Sequence, residues 1–133
     1  MKARFSGVKP WEAPGDYSDL DLPEGDFLDL HNDFGLLGVT LAGHPKAVLR
    51  LEFGHPRRGR FALEFHDVGE LVMQQTVVSS DGWHGEPEVD PDGIDSITYY
   101  EYGAELPPVF EVQSSSLRLK FRAWEVTLRP LAA

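Results

Sequence analysis

Cysteine is absent from the 133 residues, and methionine occurs only twice. Without cysteine there is no disulfide and no thiolate metal site, as suits a chain of the reducing cytoplasm. No apolar run approaches the roughly 20 residues of a membrane-spanning helix. The opening Met1-Lys2-Ala3-Arg4-Phe5-Ser6-Gly7 is basic, but no apolar stretch follows it. A secretory signal is therefore not expected, and the expected compartment is the cytoplasm.

Positive charge is scarce as well. Twelve Lys and Arg face 22 Asp and Glu, for a formal net charge of −10 and a sequence pI of about 4.8. Neither Lys nor Arg occurs between Glu12 and Asp33, or between Phe61 and Ser116. Nucleic-acid phosphates and anionic lipid would repel such a chain, so neither is an expected partner. The same charge keeps a protein soluble and steers it towards a basic protein. The remaining cations fall into two groups after Lys2, Arg4 and Lys9: Lys46, Arg50, Arg57, Arg58 and Arg60, then Arg118, Lys120, Arg122 and Arg129. If the fold brings these groups together, they form a basic stripe on an acidic body.

Helical periodicity is missing too; only Asp67–Leu71 offers room for a single turn. What is present is alternation at every second residue. Ala47, Leu49, Leu51 and Phe53 alternate with Val48, Arg50 and Glu52; Phe61, Leu63 and Phe65 with Arg60, Ala62, Glu64 and His66; Leu117, Leu119 and Phe121 with Arg118, Lys120 and Arg122. A strand sends successive side chains to opposite faces, so each segment has one dry face and one wet face. With some eight such strands, short turns and little helix, the expected fold is all-β: an antiparallel β-sandwich or flattened barrel. At 133 residues it suits one domain, with an irregular acidic lead-in over 1–26 and a β core over 27–129.

The expected core is Leu49, Leu51, Phe53, Phe61, Leu63, Phe65, Phe110, Val112, Leu119, Phe121, Trp124 and Val126. Leu71–Val78 lacks clean alternation, which suggests a strand covered on both faces. Ser114-Ser115-Ser116 reads as a hairpin connection. The last segment changes phase: Leu117, Leu119, Phe121 and Ala123 keep one register, Trp124, Val126 and Leu128 the other. One regular strand cannot do this, so a bulge, a bend or a passage from one sheet to another is expected at Ala123-Trp124.

Motifs that carry chemistry are few. Glu88, Asp90, Asp92 and Asp95 with Gly93 resemble the opening of a calcium loop, where hard oxygens gather round a hard cation. Counting Glu88 as the first ligand, the twelfth position is Tyr99, which supplies no bidentate carboxylate, and Pro91 stiffens the loop. Asp and Gly clusters also simply make turns. The five histidines (His31, His44, His55, His66 and His84) show no zinc-binding spacing. There is no GxSxG elbow, Walker loop or GxGxxG. Trp83, in Asp81-Gly82-Trp83-His84-Gly85, either plugs one end of the sandwich or stands exposed as a contact residue.

Leu28-Asp29-Leu30-His31-Asn32-Asp33, an alternating hairpin, Phe65-His66-Asp67-Val68 and the closing Phe110–Gln113 and Leu117–Leu128 form a layout spanning about residues 27 to 129. It resembles small all-β bacterial proteins of unassigned function, some grouped as predicted immunity proteins of polymorphic toxin systems. The resemblance implies a small cytosolic protein that neutralises a toxin by binding and has no catalytic residues. The lead-in lies outside it.

The expectation is therefore a non-catalytic binding module without cofactor, an inhibitor of a basic protein, with Trp83, Asp90, Asp92 and Asp95 as contact patch. The competing reading is a calcium-type metal-binding protein or metal-dependent enzyme using Asp90, Asp92 and Asp95. A homodimer through an open sheet edge would leave no local signature in the sequence.

Overall fold

The computed structural model describes residues 2–75, 93–101, 103 and 105–131. The alternating segments become strands whose dry faces meet. Four three-residue strands come first: β1 (Arg4–Ser6), β2 (Gly15–Tyr17), β3 (Asp19–Asp21) and β4 (Phe27–Asp29). Eight longer ones follow: β5 (Gly35–Ala42), β6 (Val48–His55), β7 (Gly59–His66), β8 (Gly69–Gln75), β9 (Ile94–Tyr100), β10 (Val109–Ser114), β11 (Leu117–Arg122) and β12 (Glu125–Leu131). They form two five-stranded sheets, β1-β12-β7-β6-β5 and β2-β9-β10-β11-β8, with β3 and β4 paired separately. All pairings are antiparallel except β1 with β12. Neither sheet closes into a barrel, so the arrangement is a sandwich rather than a flattened barrel. Among the described residues there is no helix, so none is long and apolar enough to cross a membrane.

The core lies where the two dry faces meet. Leu49, Leu51 and Phe53 of β6, Leu63 and Phe65 of β7 and Val126 of β12 are buried on one side. Ile97 and Tyr99 of β9, Phe110 and Val112 of β10, and Leu119 and Phe121 of β11 are buried on the other. Phe65 bridges the sheets, with its ring centroid 5.0 Å from Phe110 and 4.7 Å from Phe121 in edge-on contacts. Edge-on geometry sets positive ring edges against negative faces and adds to area burial. Phe61 is only partly buried and stacks on Phe53 at 6.0 Å.

The phase change at Ala123-Trp124 is a passage between sheets: β11 belongs to one and β12 to the other. The small side chain takes the inner position at this corner. Ala123 is fully buried, whereas Trp124 is half-buried and does not belong to the core as expected. Its backbone holds the corner instead, donating from N to the His66 carbonyl and accepting from the Arg4 N–H. The passage from β7 to β8 uses no helical turn; Asp67 and Glu70 take left-handed backbone conformations (φ 57° and 53°). Two residues of β8, Glu70 and Leu71, then face Phe121 alone in a bulge.

Two further expectations need correction. Over Leu71–Gln75, β8 is not covered on both faces: it ends its sheet among the described residues, and Val72 and Met73 are 56% and 52% exposed, while residues 76–78 lie outside the described residues. Missing alternation fits a strand wet on both faces as well as one dry on both. Residues 1–26 are also no mere lead-in. β1 extends one sheet and β2 the other, and Ala3, Val8, Trp11, Leu20 and Leu22 are buried in the core. Trp11 stacks on Tyr17 at 4.6 Å and meets Phe5, Tyr99 and Phe110 at 5.4, 5.8 and 6.1 Å. The Tyr99 hydroxyl accepts the Ala3 N–H, and burial pushes its pKa up. Proline and glycine hide this role from any periodicity, because short strands separated by turns have no period to read.

Candidate functional site

Among the described residues, a group of like charges lies at the β3–β4 end. In Asp19-Leu20-Asp21 the leucine turns inward and is fully buried, so both aspartates turn outward. Leu20 pairs with Leu28, which is equally buried, and Asp19 pairs with Asp29. Two like charges thus face each other across a strand pair, an arrangement that opposes folding. The two differ in what surrounds them. Asp29 Oδ1 accepts the backbone N–H groups of His31 and Asn32 at 3.1 and 3.0 Å, and Oδ2 accepts the Asn32 side-chain amide at 2.9 Å. These bonds, the Asn32 side chain foremost, hold the Asp29 carboxyl below its usual range. Among the described residues Asp19 has no such donors. Burial raises its pKa, and the nearby Asp29, Asp21 and Asp33 raise it further.

The turn capped by Asp29 positions the rest. Gly93 sits where an added Cβ would come 3.1 Å from the His31 carbonyl oxygen, so the start of β9 runs tight against this turn. Asp95 is thereby brought to His31, with Oδ1 3.6 Å from Nδ1. The fold gathers Asp19, Asp21, Asp29, Asp33 and Asp95 at one end, and Asp19, Asp21 and Asp33 have no ion pair among the described residues. Asp26 is excluded from this count, since Arg58 donates to it at 2.7 Å. The depression beside the cluster, lined in part by His31, Asn32, Asp33 and Gly93, holds about 250 Å³. Ligand pockets usually offer roughly 300 to 1,000 Å³ and are mostly apolar.

Of the residues nominated from sequence, Asp95 therefore stands beside the acidic group. Trp83, Asp90 and Asp92 lie outside the described residues. Among the described residues no group of three His, Asp or Glu side chains is placed to hold a metal ion. The contribution of residues 12–33, namely Asp19, Asp21, Asp29 and Asp33, was visible in sequence only as an acidic run without Lys or Arg. Its convergence on Asp95 depends on the β9 crossing, which leaves no local mark.

The cations do not form one stripe. Arg50 and Arg60 belong to the β6–β7 sheet, together with Arg129 of β12, whereas Arg118, Lys120 and Arg122 belong to β11 in the other sheet. The two groups sit on opposite outer faces because β11 and β12 part at the corner. On the first face the nominally wet Glu64 is 9% exposed. It accepts from Arg129 at 2.6 Å and lies 3.9 Å from Arg50 and 3.8 Å from His66. Glu52 takes Arg50 and Arg60 at 3.3 and 2.8 Å. This face is mutually neutralised, in contrast to the aspartate end.

No family model, no curated protein and no solved structure matches this chain.

A pH titration of stability should separate Asp29 from Asp19. Asp29 has a lowered pKa in the fold, so its contribution is present above about pH 4 and is lost as pH falls through the lowered value. Asp19 has a raised pKa, so its protonated form contributes below about pH 4, and that contribution is lost as pH rises through the raised value. At neutral pH, Asp29→Ala is expected to cost about 1 to 2 kcal/mol through its lost hydrogen bonds. Asp19→Asn is expected to gain about 0.2 to 0.5 kcal/mol by removing a like charge. Both differences should shrink when unfolding is measured near pH 3. A gain from Asp29→Ala or a loss from Asp19→Asn at neutral pH would show the two environments to be misassigned.

Proposed function

We propose that this protein is a non-catalytic binding module whose acidic end docks a basic protein, as an immunity-type inhibitor docks its toxin. The observation that carries the reading is the convergence of Asp19, Asp21, Asp29, Asp33 and Asp95 on one end, with three of them unpaired among the described residues. Crowded carboxylates repel each other in the free protein, and a cationic surface relieves that repulsion on binding. Exposed acids supply rate and orientation, whereas affinity needs a desolvated anchor, a role the sequence reading gives to Trp83, with Asp90 and Asp92 as further acids of the contact patch.

The experiment uses the chain as bait in a lysate of its source organism, then measures each captured protein in purified form. The expected partner is basic, and its association slows steeply as salt rises from about 50 to 300 mM. Asp19→Asn/Asp21→Asn/Asp33→Asn should be more stable than the parent yet associate at least ~10-fold more slowly. Trp83→Ala should dissociate faster. A salt-insensitive complex, or neutralised and Trp83→Ala variants that both bind like the parent, would refute this reading.

A further inference from the structure

We propose that β5 is a pairing edge for a second copy of this chain, joined antiparallel, strand to strand, about a twofold axis. Among the described residues β5 ends its sheet, and its free side presents backbone donors and acceptors that no described strand pairs. Natural edges are guarded by charge, proline or bulges. Gly35–Ala42 contains no charged residue and no proline, and its one irregularity is the bulge between Leu36 and Gly38. Leu37 and Leu41 are 56% and 51% exposed on this strand.

Gly38, at that bulge, is a second sign. Its φ is not in the left-handed region, and an added Cβ would meet nothing within 4 Å. Among the described residues, neither a left-handed backbone nor a crowded Cβ position calls for glycine here. Mid-strand glycine costs about 0.5 to 1 kcal/mol relative to alanine. A glycine inside a strand marks a bulge or the close approach of another backbone, and β5 combines the first with an edge open to the second.

Charge selects a second copy as the occupant. Asp33 precedes β5, while His44 and Lys46 follow it; all three are exposed and without an ion pair among the described residues. Antiparallel pairing of two β5 strands sets the Asp33 end of each copy beside the His44–Lys46 end of the other, twice by symmetry. The net charge of −10 on each copy acts mostly over distances longer than the ~8 Å screening length at physiological salt. β8, the edge of the other sheet, carries Glu70 and lacks this pairing of opposite ends.

Sedimentation velocity and light scattering on the full chain, from about 1 to 100 µM, test the inference. The expected species is a dimer that goes no further, because a twofold contact closes on itself. Leu41→Lys should raise the dissociation constant at least ~10-fold while leaving the monomer's melting temperature near that of the parent. Asp33→Lys and Lys46→Asp should each weaken the dimer, and the double reversal should restore it. Should Leu41→Lys fail to fold, hydrogen exchange on the parent replaces it, with slower exchange over Leu36–Ala42 at the higher concentration. A monomer throughout, a mass beyond the dimer, exchange independent of concentration, or a double reversal no tighter than the singles would overturn the inference. No basic partner enters these measurements, so their failure is distinct from failure of the inhibitor reading.

Discussion

Leu63→Asp is expected to leave the chain unfolded at room temperature. Leu63 is fully buried at the middle of β7, opposite Leu51 of β6 and Leu128 of β12. The substitution removes a large apolar side chain, worth roughly 2 to 5 kcal/mol when truncated in a core. It also places a carboxylate where no donor waits, so the group must either stay charged without solvent or be protonated far above its ordinary pKa. The combined loss reaches the 5 to 15 kcal/mol (roughly) by which a domain of this kind is stable. Circular dichroism and a thermal melt read the outcome directly. A cooperative transition within about 1 kcal/mol of the parent would mean that the dry face of β7 is misassigned.

Trp11→Ala is expected to cost about 3 to 5 kcal/mol, the range for removing a buried aromatic side chain. Trp11 is 5% exposed and touches Phe5 of β1, Tyr17 of β2, Tyr99 of β9 and Phe110 of β10. It closes the flank of the sandwich where β1 and β2 are the end strands, tying the first residues to both sheets. Urea unfolding of the variant measures the effect. A lead-in merely draped over a finished core would lose little, so a change below about 1 kcal/mol would contradict the packing. A parent-like m-value would place the loss in packing rather than in partial unfolding of the N-terminal segment.

The two substitutions probe parts of the molecule that differ in how far they can be read from sequence. Leu63 lies in a strand where period-2 alternation persists for many residues, and a repeated period is visible without knowledge of any neighbour. Trp11 lies between Pro10 and Pro14, in the connection between two strands of three residues, where its burial follows from partners about six to one hundred positions away. The same distinction runs through the candidate site. The acids of residues 12–33 were legible as a run, but their meeting with Asp95 required the β9 crossing. Glu64 looked like any wet-face residue until Arg50 and Arg129 arrived from the strands on either side.

By itself the sequence determined the all-β class, the dry faces of β6, β7, β10 and β11, and the change of phase at Ala123-Trp124. It could do so because alternation and its interruption are local consequences of strand geometry. Tertiary structure alone decided that the sheets form an open sandwich, and that Ala123 rather than Trp124 fills the corner. It also split the cations between opposite faces and turned the N-terminal segment into core. Each of these depends on which strands become neighbours, a matter of long-range pairing and side-chain volume that no local period encodes.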